Sequence, residues 1–392
     1  MAAIAALIPT RNRADLAIAA VRSLIDQDCA IDIYVSDNSA DPEPLRAFCQ
    51  SEPRATLLRP PRELAMPEHW DWGIGQVLER SSATHVTVHY DRKLSKPNEW
   101  GRIEAIAARH PDMLVNFAVD HISQWPPPLR IWQAPWTGKL FAIETAAAAA
   151  EIAGARLATM GHTLPILSNC VVPRAILEAI AARFGDICKS TGPDSAFMSR
   201  FLALADRYLH LDRTTGIVYG AHRSNGMGYM RGKGGDFADF KKTFGDRAWL
   251  PAGPLPGINL GQNMLYHEYE LVRRETGDRL PPVDRAAALA EMAEALIWVD
   301  DPGARAELAA LLRREGWTGE EPGPIVAPKW REYLGQWRAR LWVRWSGEKL
   351  PMMSGFAYRS DRAALRAALR NPRRREEEAG HLAHLRPVQV PS

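Results

Sequence analysis

The sequence predicts an α/β fold built on a mostly parallel sheet with helices on both faces. Short apolar runs alternate with stripes at helical spacing through the N-terminal third of the chain. The apolar runs are continuous, as in strands covered on both faces. Polar clusters at residues 9–13, 37–41 and 91–93 follow three of these runs, and open α/β sheets bind ligands at the carboxyl ends of their strands.

Each element has its own signal. Residues 3–8 form an apolar run stopped by Pro9, the pattern of a buried strand. Leu16, Ala20 and Leu24, flanked by Ala17, Val21 and Ile25, recur at helical spacing. Ile31, Ile33 and Val35 mark a second strand that runs into Ser36-Asp37-Asn38-Ser39. A helix is expected near residues 44–50, a strand at 55–58 and a helix at 68–78. Residues 85–90 are rich in β formers and end at Asp91. Proline suits the first position of a helix, so Pro97 is read as opening a helix that reaches Arg109. Residues 113–119 read as a strand, 197–204 as an apolar helix, and 220–224 as the close of a strand. Residues 284–314 read as one Ala- and Leu-rich helix.

A chain of 392 residues exceeds one small domain. The texture changes after residue 225, which ends the predicted sheet domain, 1–225. Residues 226–262 are rich in Gly and Pro and carry Arg231, Lys233, Lys241 and Lys242, and so read as a basic loop suited to a lid. Residues 263–370 read as a helical extension and 371–392 as a charged, frayed tail.

Several function classes are disfavoured. A net charge of only +3 does not mark a nucleic-acid binder, and no nucleic-acid partner is expected. Cys29, Cys49, Cys170 and Cys188 lack paired spacing, so they suit reduced thiols in a cytoplasmic protein better than a zinc site or a disulfide framework. The apolar start has no basic residue before it and reads as a strand rather than a signal peptide. No stretch reaches the ~20 apolar residues of a membrane-spanning helix. No phosphate loop or Gly-x-Ser-x-Gly elbow occurs; Gly73-Ile74-Gly75 lacks a third glycine and a strand before it, and His267-Glu268 lacks the second histidine of a zinc motif.

The segment Leu7-Ile8-Pro9-Thr10-Arg11-Asn12-Arg13, followed by Val35-Ser36-Asp37-Asn38-Ser39, resembles the family 2 type glycosyltransferases, which open on a strand, a Pro-Thr-x-Asn-Arg turn and a second strand ending in Asp. Met66-Pro67-Glu68-His69-Trp70-Asp71 is similar to a Met-x-x-Asn-Trp-Glu stretch found in part of that family. The resemblance covers about the first 100 residues and implies a GT-A type nucleotide-sugar-binding domain. It implies an inverting sugar transfer from a nucleotide-diphosphate sugar, a UDP-sugar being favoured, to a glycan, a lipid-linked saccharide or a protein side chain.

The same resemblance distributes roles. Asp37, an acceptor-only carboxylate, would hold the base or ribose, with Pro9, Thr10, Arg13 and Asn38 shaping the nucleotide site. The family's Asp-x-Asp, which binds a divalent metal, is represented by Asp91-Arg92-Lys93. Lys93 replaces the last acid, so Mn or Mg is not expected to be essential; Lys93 would face the diphosphate and Arg92 would point away, since neighbours on an extended segment face opposite sides. Were a metal used, Asp91 and His222 would hold it. Asp194 is the expected catalytic base, although aspartate at a helix start is also a common cap. His222 and Arg223 would contact the diphosphate, and Ser168-Asn169 the acceptor. Trp125, Trp132 and Trp136 suit either sugar stacking or loop anchoring.

Two other classes stay open at this level: a non-catalytic sugar-nucleotide or glycan binder of the same fold, and a nucleotidyltransferase, which would need more acidic ligands than Asp91. Trp330, Trp337, Trp342 and Trp345, interleaved with arginines, suit peripheral contact with the inner membrane face as well as packing on the domain.

Overall fold

The computed structural model describes residues 2–123, 130–132, 136–157, 163–219, 250–256, 260–299, 302–323 and 387–388. The chain runs through β1 (Ile4–Thr10), α1 (Ala14–Ile25), β2 (Ile31–Asp37), α2 (Glu43–Ser51), β3 (Ala55–Leu58), α3 (Met66–Arg80) and β4 (His85–Val88). It continues through β5 (Lys93–Ser95), α4 (Trp100–Arg109), β6 (Val115–Ser123), β7 (Arg130–Trp132), β8 (Leu140–Glu144) and α5 (Thr145–Ala153). A 3-10 turn (Leu167–Asn169) leads into β9 (Cys170–Pro173), α6 (Arg174–Phe184), α7 (Pro193–Leu204) and β10 (Arg207–Val218). Helices α8 (Gly261–Thr276), α9 (Arg285–Glu294) and α10 (Pro302–Arg314) and the short β11 (Pro387–Val388) complete it.

The predicted α/β class, with a mostly parallel sheet, is observed. The sheet order is β11-β8-β10-β6-β9-β4-β1-β2-β3, with β5 on β10 and β7 on β6. Strands β3, β2, β1, β4, β6 and β10 point the same way, and β9 runs against both β4 and β6. Period-2 alternation divides the core into two layers. Ala5 and Leu7 of β1 join a cluster with Trp70, Ile74, Phe197, Phe201, Tyr266, Tyr269 and Leu308. Ile4, Ala6 and Ile8 face the other way, onto Ala17, Val21 and Leu24 of α1 and Trp100 and Ile103 of α4. All seven residues of β1 are buried, which is why its sequence shows no polar alternation. Helices α8, α9 and α10 supply side chains to the same cluster as α3 and α7.

Gly73 owes its place to packing: a Cβ there would stand 2.9 Å from Leu7 Cδ2, so the glycine lets α3 lie flush on β1.

Two expectations are corrected. Helix α4 begins at Trp100, because Asn98 takes a left-handed conformation (φ 60°) that keeps Pro97 outside the helix. The stretch 284–314 is two helices, α9 and α10, with a 3-10 turn (Ala295–Trp298) after the first; Pro302, which lacks an N–H, opens the second. Among the described residues no helix is long and apolar enough to cross a membrane. Trp330–Trp345, all of the tail 371–392 except the two residues of β11, and most of the loop 226–262 lie outside the described residues.

Candidate active site

The turn after β1 and the end of β2 are stitched together by Asn12, which sits in the left-handed region at φ 55°. Its N–H donates to Ser39 Oγ at 2.7 Å, and its Oδ1 accepts from the Ala40 N–H at 3.2 Å. Parallel pairing sets Thr10 beside Asp37. Asp37 lies at the strand end as expected, yet it is fully buried. Its Oδ1 accepts from the Ser39 N–H at 2.9 Å, and its Oδ2 pairs with Arg59 at 3.2 Å. The Asn38 amide pegs a neighbouring loop, donating to the Leu64 carbonyl at 2.8 Å and accepting from its N–H at 3.1 Å. Pro9 is buried, opposite Ser36 in the β1–β2 pairing. Arg59 was not legible as a partner, since nothing in its local sequence signals Asp37.

Asp91 follows β4 at the same edge of the sheet. One oxygen, Oδ2, accepts from Thr10 Oγ1 at 2.9 Å and pairs with Arg13 Nε at 2.8 Å. Arg92 holds the start of the next segment, donating to the Tyr219 carbonyl at 3.0 Å while its own carbonyl accepts from the Tyr219 N–H at 3.0 Å. Burial pulls the Arg92 guanidinium below its usual range; Asp91 acts against that and Arg13 acts with it. At this edge Asp91 is ion-paired with Arg13 and acts electrostatically on Arg92.

Lys93 is placed differently from the expectation. It opens β5, whose antiparallel pairing with β10 turns its side chain inward. The ammonium is 1% exposed, donates to the Ser168 carbonyl at 2.5 Å and lies 5.4 Å from the centre of the Phe117 ring. Burial brings it down to about 7, with Asp194 and Cys170 acting in the other direction. Arg92, expected to point away, is the member of the pair beside Asp91 and Arg13.

Asp194 sits in the first turn of α7, partly exposed. Its Oδ1 accepts from the Ser168 N–H at 3.0 Å, and its Oδ2 from the Tyr90 hydroxyl. Burial pushes the carboxyl above the usual carboxylate range, opposed by Tyr90, Ser168 and Lys93. Burial and Asp194 together push the Tyr90 phenol well up, so it remains a donor. Its ring packs at 5.8 Å from Trp70. Tyr90 was missed in the sequence, although it directly precedes Asp91. Tyr90 and Asp91 are thus adjacent residues that bond to opposite sides of the site, one to Asp194 and one to Arg13.

No protein-family model matches the chain, and no curated protein matches it either. Crystal structures of S. aureus TarS align with it loosely. One has a TM-score of 0.45 and 13% identity, covering 80% of this chain and 53% of that one, so the chain spans about half the length of that protein. TarS 1–349 in complex with UDP-GlcNAc aligns at a TM-score of 0.44 and 12% identity, covering 80% and 87% of the two chains. The UDP complex aligns at 0.43 and 12%, with the same coverage.

The remaining expected positions divide. His222, Arg223 and Trp125 lie outside the described residues. Ser168 and Asn169 are buried in the 3-10 turn beneath Asp194 rather than lining an open face. Trp136 is buried, and the Arg213 guanidinium covers its ring at 4.4 Å while holding Glu99 at 2.6 and 2.7 Å. That contact makes Trp136 an anchor, not an open stacking platform.

Asp91 is a poor metal ligand as it stands, since its Oδ2 is already taken by Thr10 and Arg13. Among the described residues no group of three or more His, Cys, Asp or Glu side chains could hold a metal ion. What the arrangement offers is a cationic edge for an anion beside a partly desolvated carboxylate able to accept a proton.

Proposed function

We propose that this protein is a GT-A type glycosyltransferase that moves a sugar from a nucleotide-diphosphate donor to an acceptor hydroxyl with inversion. The observation that carries the reading is the adjacency of Tyr90 and Asp91. It links a proton-accepting carboxylate, Asp194, to a pair of guanidinium groups, Arg13 and Arg92, across a single peptide bond. The acceptor hydroxyl loses its proton to Asp194 as its oxygen attacks the anomeric carbon. The bond from that carbon to the diphosphate breaks on the opposite face. The charge that develops on the leaving phosphate is met by preorganised cations, a role in which Arg13 and Arg92 replace Lys93 of the original expectation. The donor set does not favour a divalent ion, so the proposed reaction proceeds without one.

Asp37 and Asn38 define the nucleotide side, where Arg59 already neutralises the Asp37 carboxylate. The assignment of His222 and Arg223 to the diphosphate side rests on the sequence resemblance alone. A UDP-sugar is the first donor class to test; the acceptor is a glycan, a lipid-linked saccharide or a protein. Membrane contact through the tryptophans of residues 330–345 is part of the same proposal.

The test is donor turnover in a panel of nucleotide sugars. Asp194→Asn is nearly isosteric and cannot take the proton, so turnover falls by about 10²–10⁴ while donor binding persists. Near-native turnover in a folded Asp194→Asn protein removes Asp194 from the chemistry.

A further inference from the structure

Helix α7, which carries Asp194, starts without a cap of its own. Its N-cap residue is Gly192, which has no side chain, and Pro193 has no N–H to offer. The capping function comes from another part of the chain. Glu268, in the middle of α8, is 2% exposed, and its Oε1 accepts from the Gly192 N–H at 2.9 Å. Ser190, Thr191 and Arg200 of α7 all lie close enough to favour the charge of the same carboxylate. Burial pushes this carboxyl upward against those contacts.

One turn before Glu268 on α8, Met264 packs on the same loop. A Cβ on Gly192 would stand 2.8 Å from Met264 Sδ and 2.9 Å from its Cγ. Residues four apart share one face of a helix. A single face of α8 therefore meets the backbone two residues ahead of Asp194 through both a hydrogen-bonded carboxylate and a packed thioether. Neighbouring residues tie α8 down: Asn263 exchanges two hydrogen bonds with the Leu255 backbone at 2.7 and 3.0 Å, and His267 Nδ1 accepts from the Ala252 N–H at 3.1 Å.

We propose that Glu268 is a positioning residue for Asp194, so that the C-terminal helices set the geometry of the proton acceptor on the sheet domain. The inference rests on the glycosyltransferase reading and adds to it a role for α8. The carboxylate holds residues 190–192 so that α7 delivers Asp194 to the Tyr90 hydroxyl and the Ser168 N–H. Glu268 does not touch the substrate in this account, and the nucleotide side is built from other elements.

The experiment compares full-length Glu268→Ala, Glu268→Gln and Asp194→Asn with the native protein. It measures kcat for nucleotide release from a UDP-sugar, UDP affinity and thermal midpoint. A misplacement of about 1 Å lowers turnover by roughly 10²-fold, so Glu268→Ala is expected to lose about that much kcat with UDP affinity nearly unchanged. Glu268→Gln keeps the Oε1 acceptor and recovers part of the loss. The proposal is overturned if Glu268→Ala, or Glu268→Gln should the alanine variant not fold, keeps native kcat while Asp194→Asn is inactive. It is also overturned if kcat and UDP affinity fall together, which marks general loosening. Native turnover in Asp194→Asn instead brings down the underlying reading of the site.

Discussion

Tyr90→Phe isolates one hydrogen bond at the candidate base. The Asp194 carboxylate accepts from the Tyr90 hydroxyl on Oδ2 and from the Ser168 N–H on Oδ1 at 3.0 Å. Phenylalanine keeps the ring that packs 5.8 Å from Trp70, so the substitution removes a donor without opening a cavity. A hydrogen bond to a charged group contributes about 1.5–3 kcal/mol. At ~1.4 kcal/mol per factor of ten, the carboxylate form of Asp194 loses roughly 10- to 100-fold in preference over the acid. The direction follows from the native balance: burial raises this carboxyl and Tyr90 opposes the rise. Removing the opposition moves the acidic limb of kcat/KM to higher pH. Below that limb the variant turns over at least about tenfold more slowly, and above it the two proteins converge. Nucleotide release measured across about pH 5–9 checks this. Superimposable profiles, or a limb displaced toward lower pH, refute the assignment of Asp194 as the proton acceptor held by Tyr90.

Arg92→Ala is expected to weaken donor binding by about tenfold or more, the scale of one charge-assisted contact, and turnover is expected to survive a chelator. Lys93→Met should instead leave donor affinity intact and lower the thermal midpoint, because its ammonium serves the Ser168 carbonyl; a chelator-sensitive enzyme restored by manganese contradicts the metal-free reading. Asp37→Asn keeps an acceptor for the Ser39 N–H but removes the charge opposite Arg59, and nucleotide affinity is expected to drop about tenfold; unchanged affinity by calorimetry leaves Asp37 as a structural partner of Arg59. His69, buried against Ser36 Oγ at 2.7 Å, is lowered by burial from 6.5 to about 4. The unfolded chain therefore takes up this proton first, so the stability it contributes is complete above pH 6.5 and is lost as pH falls toward about 4, up to ~3 kcal/mol. Urea unfolding of His69→Gln should show a shallower loss over that window, and an identical slope rules the histidine out.

Much of the fold was legible because its signals are local. The seven apolar residues of β1 and the stripe of Leu16, Ala20 and Leu24 are patterns within one short window. Their alternation placed Thr10, Asp37 and Asp91 at strand ends, where the structure has them. Asp194 was legible as an acid opening an apolar helix.

The partners of these residues were not legible, since each depends on sheet order and packing between distant segments. Period-2 alternation says that Arg92 and Lys93 face opposite sides, but not which one goes inside. That choice was made by β10, whose Val218 pairs with Lys93 in an antiparallel register. Tyr90 reaches Asp194 across 104 residues, Lys93 reaches Ser168 across 75, and Glu268 reaches Gly192 across 76. A hydrogen-bond donor carries no mark of its acceptor in its own neighbourhood. Residue order thus established the sheet, the edge at its strands' carboxyl ends and the carboxylates along it. The folded chain assigned each carboxylate its counter-group, because ion pairs and caps form between side chains that only close packing brings within about 3 Å.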